Sequence, residues 1–424
     1  MTRHRRFAAV LAIATATALL AGCGRDAGGG QEEATSVAEG KATGEITVWA
    51  MGTEGEKLGA FAQAFTAENP DAKVTVTAVP WDAAHQKIAS AIAAKQTPDV
   101  SMLGTTWMGE FAKTGALDPT PPDLINKDEY FPGAWETGVV DGTAYSVPWY
   151  VETRLIYYRT DLAQKAGITT PPTSWEELTA MAKALKDKSG AESGLYLQPG
   201  GTGSWQSFMP FAWSNGAELT SDKEFTLDTP EMSEALQYYG SFFKDKLSTT
   251  TDLGLQGSLE KSFIDGKVGA FISGPWHIGL LKDQGGAGFE DKFAVMPMPM
   301  KKSATSFIGG SNLSVFKDAK NRDGAWKFVQ WLSKPDVQVK WYGQVSDLPA
   351  VQKSWEDPTL SGDEFLKTFG EQLKSAKAPP AITTWEQVAA TMDAEIERVA
   401  KSGADAAAAT KAMQDKASSI GTGG

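Results

Sequence analysis

One cysteine, Cys23, serves all 424 residues, so no disulfide within the chain can staple this fold. Stability must come from an ordinary large core, which 42% hydrophobic residues can supply. Histidine is nearly as scarce, with His4, His85 and His277 the whole supply. No HExxH helix, Gly-x-Ser-x-Gly elbow or phosphate-binding loop of the Gly-x-x-x-x-Gly-Lys type occurs. No Asp-rich loop has calcium spacing. Basic residues are outnumbered 40 to 52, a net charge of −12 that disfavours nucleic acid and anionic lipid as partners. Long apolar runs are missing too. The longest covers residues 7–20, short of the ~20 residues a spanning helix needs.

That run is informative for what surrounds it. Arg3, Arg5 and Arg6 precede it and Leu-Ala-Gly-Cys follows it, the plan of a secretory signal peptide over residues 1–22. Small residues before Cys23 would serve simple cleavage. The lone cysteine directly after Gly22 resembles a bacterial lipobox, which implies that Cys23 is acylated and becomes the new N-terminus. Loss of residues 1–22 leaves 402 residues and moves the charge to −15. The Arg5–Arg6 pair leaves the export route open between the general and twin-arginine pathways. Residues 23–44 carry no apolar periodicity and read as a flexible tether.

From Glu45 onward strands and helices alternate. Ile46 to Met51 reads as a strand, Leu58, Phe61, Ala62 and Phe65 keep helical spacing, and KVTVTAV alternates as a second strand. A helix from Ala83 and a third strand, DVSMLG, follow. Such alternation predicts an α/β fold of mostly parallel sheets flanked by helices, with ligands beyond the carboxyl ends of the strands. The stretch SWEELTAMAKAL opens on a Ser-x-x-Glu capping box, and the residues from Thr384 are helical.

Five stretches, in order, resemble the sugar-binding lipoproteins of bacterial ABC importers, relatives of maltose-binding protein: TPDVSMLGTTWMGEFAKTGAL, VPWYVETRLIYYRTDLAQKAG, PPTSWEELTAMAKAL, GKVGAFISGPWHIG and IGGSNLSVFKDAKNRDGAWKFVQWLS. The resemblance spans nearly the whole chain after Cys23. It implies a two-lobed fold of the periplasmic-binding-protein type (type II), its hinge crossed three times, near residues 151–154, 307–311 and 334–339. One lobe would comprise 45–152 plus 311–334, the other 153–310 plus 335–424. It also implies a monomeric receptor that docks on a permease, touches the membrane only through its lipid and needs no cofactor or metal.

Sugars require flat apolar faces and fixed hydrogen-bonding groups. Fourteen tryptophans are available, and most tryptophans in any protein are packing. The resemblance puts an aromatic platform at Trp276, in the turn shaped by Gly274 and Pro275. Trp107, with Thr106 beside it, follows the third strand. Trp81 and Asp82 follow the second strand, and Thr53 and Glu54 the first. Helix capping is the plain alternative for Thr53, Glu54 and Asp82. Tyr150 and Glu152 match the family's hinge-side contacts, although alternation along the strand equally pairs Glu152 with Arg154. Trp205 and Gln206 lie in a glycine-rich stretch of the second lobe, Gly310 and Ser311 at a crossing, and Trp385 at a helix start. Trp49, Trp213, Trp326, Trp331 and Trp341 fit core faces, and His277 a local hydrogen bond.

The expected activity is reception of a neutral di- or oligosaccharide for transport. Trehalose, maltose-type, xylobiose and cellobiose-like sugars all suit these residues. A receptor of the same fold for another small solute, or a secreted glycosidase, are the alternatives.

Overall fold

The computed structural model describes residues 36–221, 224–254 and 257–423. Cys23 and the expected signal peptide lie outside the described residues. Order begins before Glu45: Ala42 is buried, and the Asn321 amide donates to the Thr43 and Glu45 carbonyls. The last residues of the expected tether thus belong to the folded body.

Strand Gly44–Met51 buries Ile46, Val48 and Ala50 and pairs in parallel with Ala72–Val79 on one side and Val100–Gly104 on the other. Each of the three strands runs directly, or after Pro80, into a helical turn: Gly52–Phe61, Trp81–Ala94 and Thr105–Trp107. Three strand-to-helix turns therefore crowd one edge, where an open α/β sheet presents its ligand site. The sheet is completed by antiparallel partners. Ser306–Val315 lies against Val100–Gly104, Val147–Thr153 lies against Ser306–Val315, and Leu348–Pro349 closes the edge.

The second sheet has three strands, Leu155–Arg159 between Ala270–Ser273 and Phe293–Met296, and both pairings are antiparallel. Parallel pairing holds among the first three strands and where the short strand Ala376–Lys377 joins Ser306–Val315, and the other pairings of the two sheets are antiparallel. Only Arg154 separates Val147–Thr153, in the first sheet, from Leu155–Arg159, in the second. Helix Ser204–Ser214, helix Pro230–Lys244 and the antiparallel pair Trp385–Ser402 and Ala406–Ile420 pack a second core.

Residues 334–339, expected as the third crossing, begin helix Pro335–Val345. Helix Pro335–Val345 belongs to the first sheet: Trp341 stacks on Trp149 at 4.9 Å, and the Gln338 amide donates to the Trp149 carbonyl. Helix Glu364–Leu373 meets strands of both sheets, with Phe365 5.0 Å from Phe293. Hydrophobic spacing alone could not assign helix 335–345 to one sheet or the other, because both neighbours offer apolar faces. The predicted cap at Ser174 is present, accepting from the Glu177 amide, while the Glu177 carboxylate reaches back to Thr173.

Candidate functional site

A cavity of about 330 Å³ opens where the two sheets approach each other. Its first wall is built by the strand-end turns. Trp81, the first residue of its helix, meets Trp107 edge to face at 5.8 Å, and Thr105 and Thr106 complete that side. Trp81 is exposed, as a ring waiting for a flat partner would be, and Trp107 is half-buried. Gly52 makes room for this corner, since a Cβ there would lie 2.8 Å from the Trp81 indole nitrogen.

The opposite wall comes from the second core. Asp393 accepts from the Gly203 amide, the Trp205 amide and the Ser204 hydroxyl, each at 2.8 Å. These bonds satisfy amides at the start of helix Ser204–Ser214 that have no partner within it. They also fix Trp205 and Gln206 at the cavity. Burial raises the pKa of Asp393 in spite of those hydrogen bonds. The floor is made by the crossing strands, through Glu152, Phe307, Gly309 and Gly310. Gly310 has φ +125°, and a Cβ there would fall 2.2 Å from the Tyr150 carbonyl oxygen, so this close approach of two strands needs glycine.

Indole faces, hydroxyls, an amide and a carboxylate thus converge between two α/β bodies. The sequence profile of the bacterial extracellular solute-binding proteins matches residues 50–339. This chain belongs to that family. A putative binding protein of Brucella abortus is 31% identical over 336 residues, covering 77% of this chain and 80% of its own. The diacetylchitobiose binding protein DasA of Streptomyces coelicolor is 30% identical over 407 residues, covering 91% and 90%. Among solved structures, the sugar-binding protein MalE of Xanthomonas citri superposes with a TM-score of 0.84 at 30% identity, over 89% of this chain and 97% of that one. The fold is therefore the two-lobed one of these receptors, and the relatives are binding proteins.

Within this receptor fold the expected contacts divide. Trp81, Thr106, Trp107, Glu152, Trp205, Gln206 and Gly310 all line the cavity. Trp385 does not. It is fully buried and meets Trp205 edge to face at 5.0 Å. Helical phase explains this, because Trp385 shares its stripe with Val388, Met392 and Ile396, all buried, while Glu386 and Ala390 turn to the cavity.

Trp276 stands beside the cavity rather than in its wall, 39% exposed. Its ring lies 4.9 Å from the guanidinium of Arg154, which is also 5.0 Å from the Phe307 ring. The turn that carries it is tightly held. Tyr157 donates to the Gly274 carbonyl at 2.6 Å, Ser273 bonds His277 Nδ1 at 2.7 Å, and a Cβ at Gly274 would strike the Trp276 ring.

Glu54, Tyr150 and Ser311 form an adjoining group outside the cavity wall. Ser311 is buried and donates to the Tyr150 hydroxyl at 3.2 Å, so it supports Tyr150 and does not face the cavity. Glu54 is buried and its pKa is raised by that burial, against a hydrogen bond from Tyr150. Asp347, which the sequence reading overlooked, is raised further, by burial and then by the nearby Glu54. Burial also holds the Tyr150 hydroxyl well above its ordinary value. Thr53 is exposed. Asp82 sits in the first turn of its helix, and its side chain lies outside the described residues.

The cavity residues missed by sequence reasoning are chiefly Thr202, Gly203, Phe307, Glu386, Ala389 and Asp393. Asp393 gave no local signal, since its partners are about 190 positions away. Glu386 was legible in principle, being one step off the buried stripe. The tryptophans expected on core faces behave as packing: Trp213, Trp326, Trp331 and Trp341 are buried, and Trp49 is half-buried beneath Lys87.

Proposed function

We propose that the chain is the extracytoplasmic receptor of an ABC importer, holding a neutral di- or oligosaccharide between its lobes and delivering it to the permease. The observation that carries this reading is one cavity walled from both sides by tryptophan, with hydroxyl, amide and carboxylate groups between the rings. Aromatic faces take the C–H faces of pyranoses, and the polar groups take the hydroxyls. Relatives named for sugar ligands support it. The volume suits one to a few rings on a scale of about 300–1,000 Å³ for small-molecule sites. The receptor works as a monomer and leaves its sugar unchanged. It is tethered through acylated Cys23, the signal peptide having been removed. Among the described residues no helix is long and apolar enough to cross a membrane, in keeping with attachment by lipid.

For the lobes, the first comprises residues 45–152 with 311–351, and the second 153–310 with 364–423. Their closure is a hinge motion at the crossing strands. Isothermal titration against trehalose, maltotriose, N,N′-diacetylchitobiose, xylobiose and cellobiose tests the reading. Binding tighter than millimolar by at least one of them supports it. Uniform failure removes the sugar reading, and slow turnover of a bound sugar would return the vote to a glycosidase.

A further inference from the structure

Arg154 is the one residue between the strands of the two sheets, and it is 6% exposed. Its guanidinium lies over the rings of both Trp276 and Phe307. One edge meets Glu152 Oε1 at 3.3 Å, and Nη2 donates to Gln206 Oε1. Glu152 comes from a first-sheet strand, Gln206 from helix Ser204–Ser214, and Trp276 from helix Trp276–Gly285. A single cation thus touches three candidate ligand residues borne by three elements.

Guanidinium has donors and no acceptor. Gln206 must therefore turn its carbonyl oxygen to Arg154, which leaves its NH2 group for the cavity. Glu152 has one oxygen occupied by the same cation, which leaves Oε2 as an acceptor. We infer that Arg154 is a positioning residue that fixes the polarity of the sugar site, presenting one donor (Gln206 Nε2) and one acceptor (Glu152 Oε2) side by side. The matching ligand feature is a pair of neighbouring hydroxyls on an uncharged ring, one accepting from the amide and the other donating to the carboxylate. Arg154 also offsets part of the charge of Glu152. This rests on the receptor reading above and names the part of the sugar that the crossing strands recognise.

The experiment uses the full chain and whichever of trehalose, maltotriose, N,N′-diacetylchitobiose, xylobiose and cellobiose the wild type binds most tightly. Calorimetry compares wild type, R154M, R154K, Q206E and the double variant E152A/Q206A with and without R154M. The loss of a buried charge partner predicts a fall in affinity of roughly 30-fold or more for R154M. Lysine keeps the charge but cannot bond both partners from over two rings, so R154K should recover only part of the loss. Q206E keeps a partner for Arg154 but replaces the donor by an acceptor, so it should fold normally and still bind at least roughly tenfold more weakly, as for loss of one good hydrogen bond. In the E152A/Q206A background, R154M should change affinity less than about twofold, within the usual limit of additivity. A merely structural role for Arg154 would not show that loss of effect. Wild type that binds none of the five sugars of the titration panel overturns the receptor reading and this assignment together. Wild type that binds a sugar, with R154M equally tight or losing the same factor in the double-variant background, overturns this assignment alone. If R154M does not fold, Q206E decides: undiminished affinity refutes the donor role.

Discussion

Acid should loosen the turn that carries Trp276, and His277 sets the amount. The imidazole is 7% exposed, on a ring contact with Phe271 at 5.0 Å and Tyr157 at 6.0 Å. Burial first, and the Arg154 charge second, lower its pKa from 6.5 to about 4. The Glu260 carboxylate lies 3.3 Å from Nε2. A lowered histidine is neutral in the native state while the unfolded chain already takes a proton below 6.5. Stability is therefore unaffected above that pH, falls as the pH drops from 6.5, and stops falling through this group near 4. The two pKa values correspond to a loss of about 2 kcal/mol at pH 5 and about 3 kcal/mol in full. Urea unfolding of wild type and H277Q at pH 7 and pH 5 isolates this group, since carboxylate titrations are common to both proteins. The expected result is a wild-type midpoint that falls more steeply on acidification than that of H277Q. Equal pH dependence in the two proteins would refute the claim that the native ring is held neutral.

Further outcomes follow from the division between cavity and core tryptophans. Trp107→Ala should weaken sugar binding by about 2 kcal/mol or more, as for an aromatic hot spot, with little change in thermal midpoint. Trp385→Ala should do the reverse in its primary effect, costing about 3–5 kcal/mol of stability through a cavity in the second core, as read by urea unfolding. Gly310→Ala should destabilise by about 1–3 kcal/mol, because alanine is strained at φ +125° and its Cβ meets the Tyr150 carbonyl. A Gly310→Ala protein as stable as wild type would show that the crossing strands separate at no cost.

Several of these features were legible in the chain, for identifiable reasons. Residues just past a strand end are committed to the sheet's ligand edge by chain connectivity alone, which is why Trp81, Thr106 and Trp107 could be placed from sequence. Trp385 could not be placed by proximity to a helix start. Its side-chain direction depends on helical phase, and the stripe at 388, 392 and 396 was the deciding signal. The first three strands were legible through alternation and intervening helices, but strand direction in the second sheet was not. A buried strand such as Ala270–Ser273 has no alternation to read, and nothing in its four residues states which neighbour it pairs with or how. Contacts between distant residues were the least accessible. Arg154 had a visible partner two positions away in Glu152, whereas its bond to Gln206 and its place over Trp276 and Phe307 exist only once the second lobe is assembled.

The charge pattern of the cavity also decides which solutes it turns away. Glu152, Glu386 and Asp393 lie along its wall, and Arg154, the cation nearest to it, is already engaged by Glu152 and Gln206. Asp393 has its oxygens occupied by the start of helix Ser204–Ser214. An anionic solute would lose hydration and meet carboxylates, where a phosphate or carboxylate site ordinarily offers free guanidinium groups or helix amides. The amides at this helix start are turned to Asp393 instead. A neutral sugar avoids that penalty, because hydroxyls donate to carboxylates without carrying charge. Oxidising the primary alcohol of a bound sugar to a uronate should therefore abolish its binding at low salt and recover little at high salt. Screening weakens distant repulsion across a Debye length of about 8–10 Å, but not the cost of an unpaired charge in a partly dry cleft. A uronate bound as tightly as its parent sugar would mean that Arg154 is released from Glu152 on binding, against the fixed polarity derived for that pair.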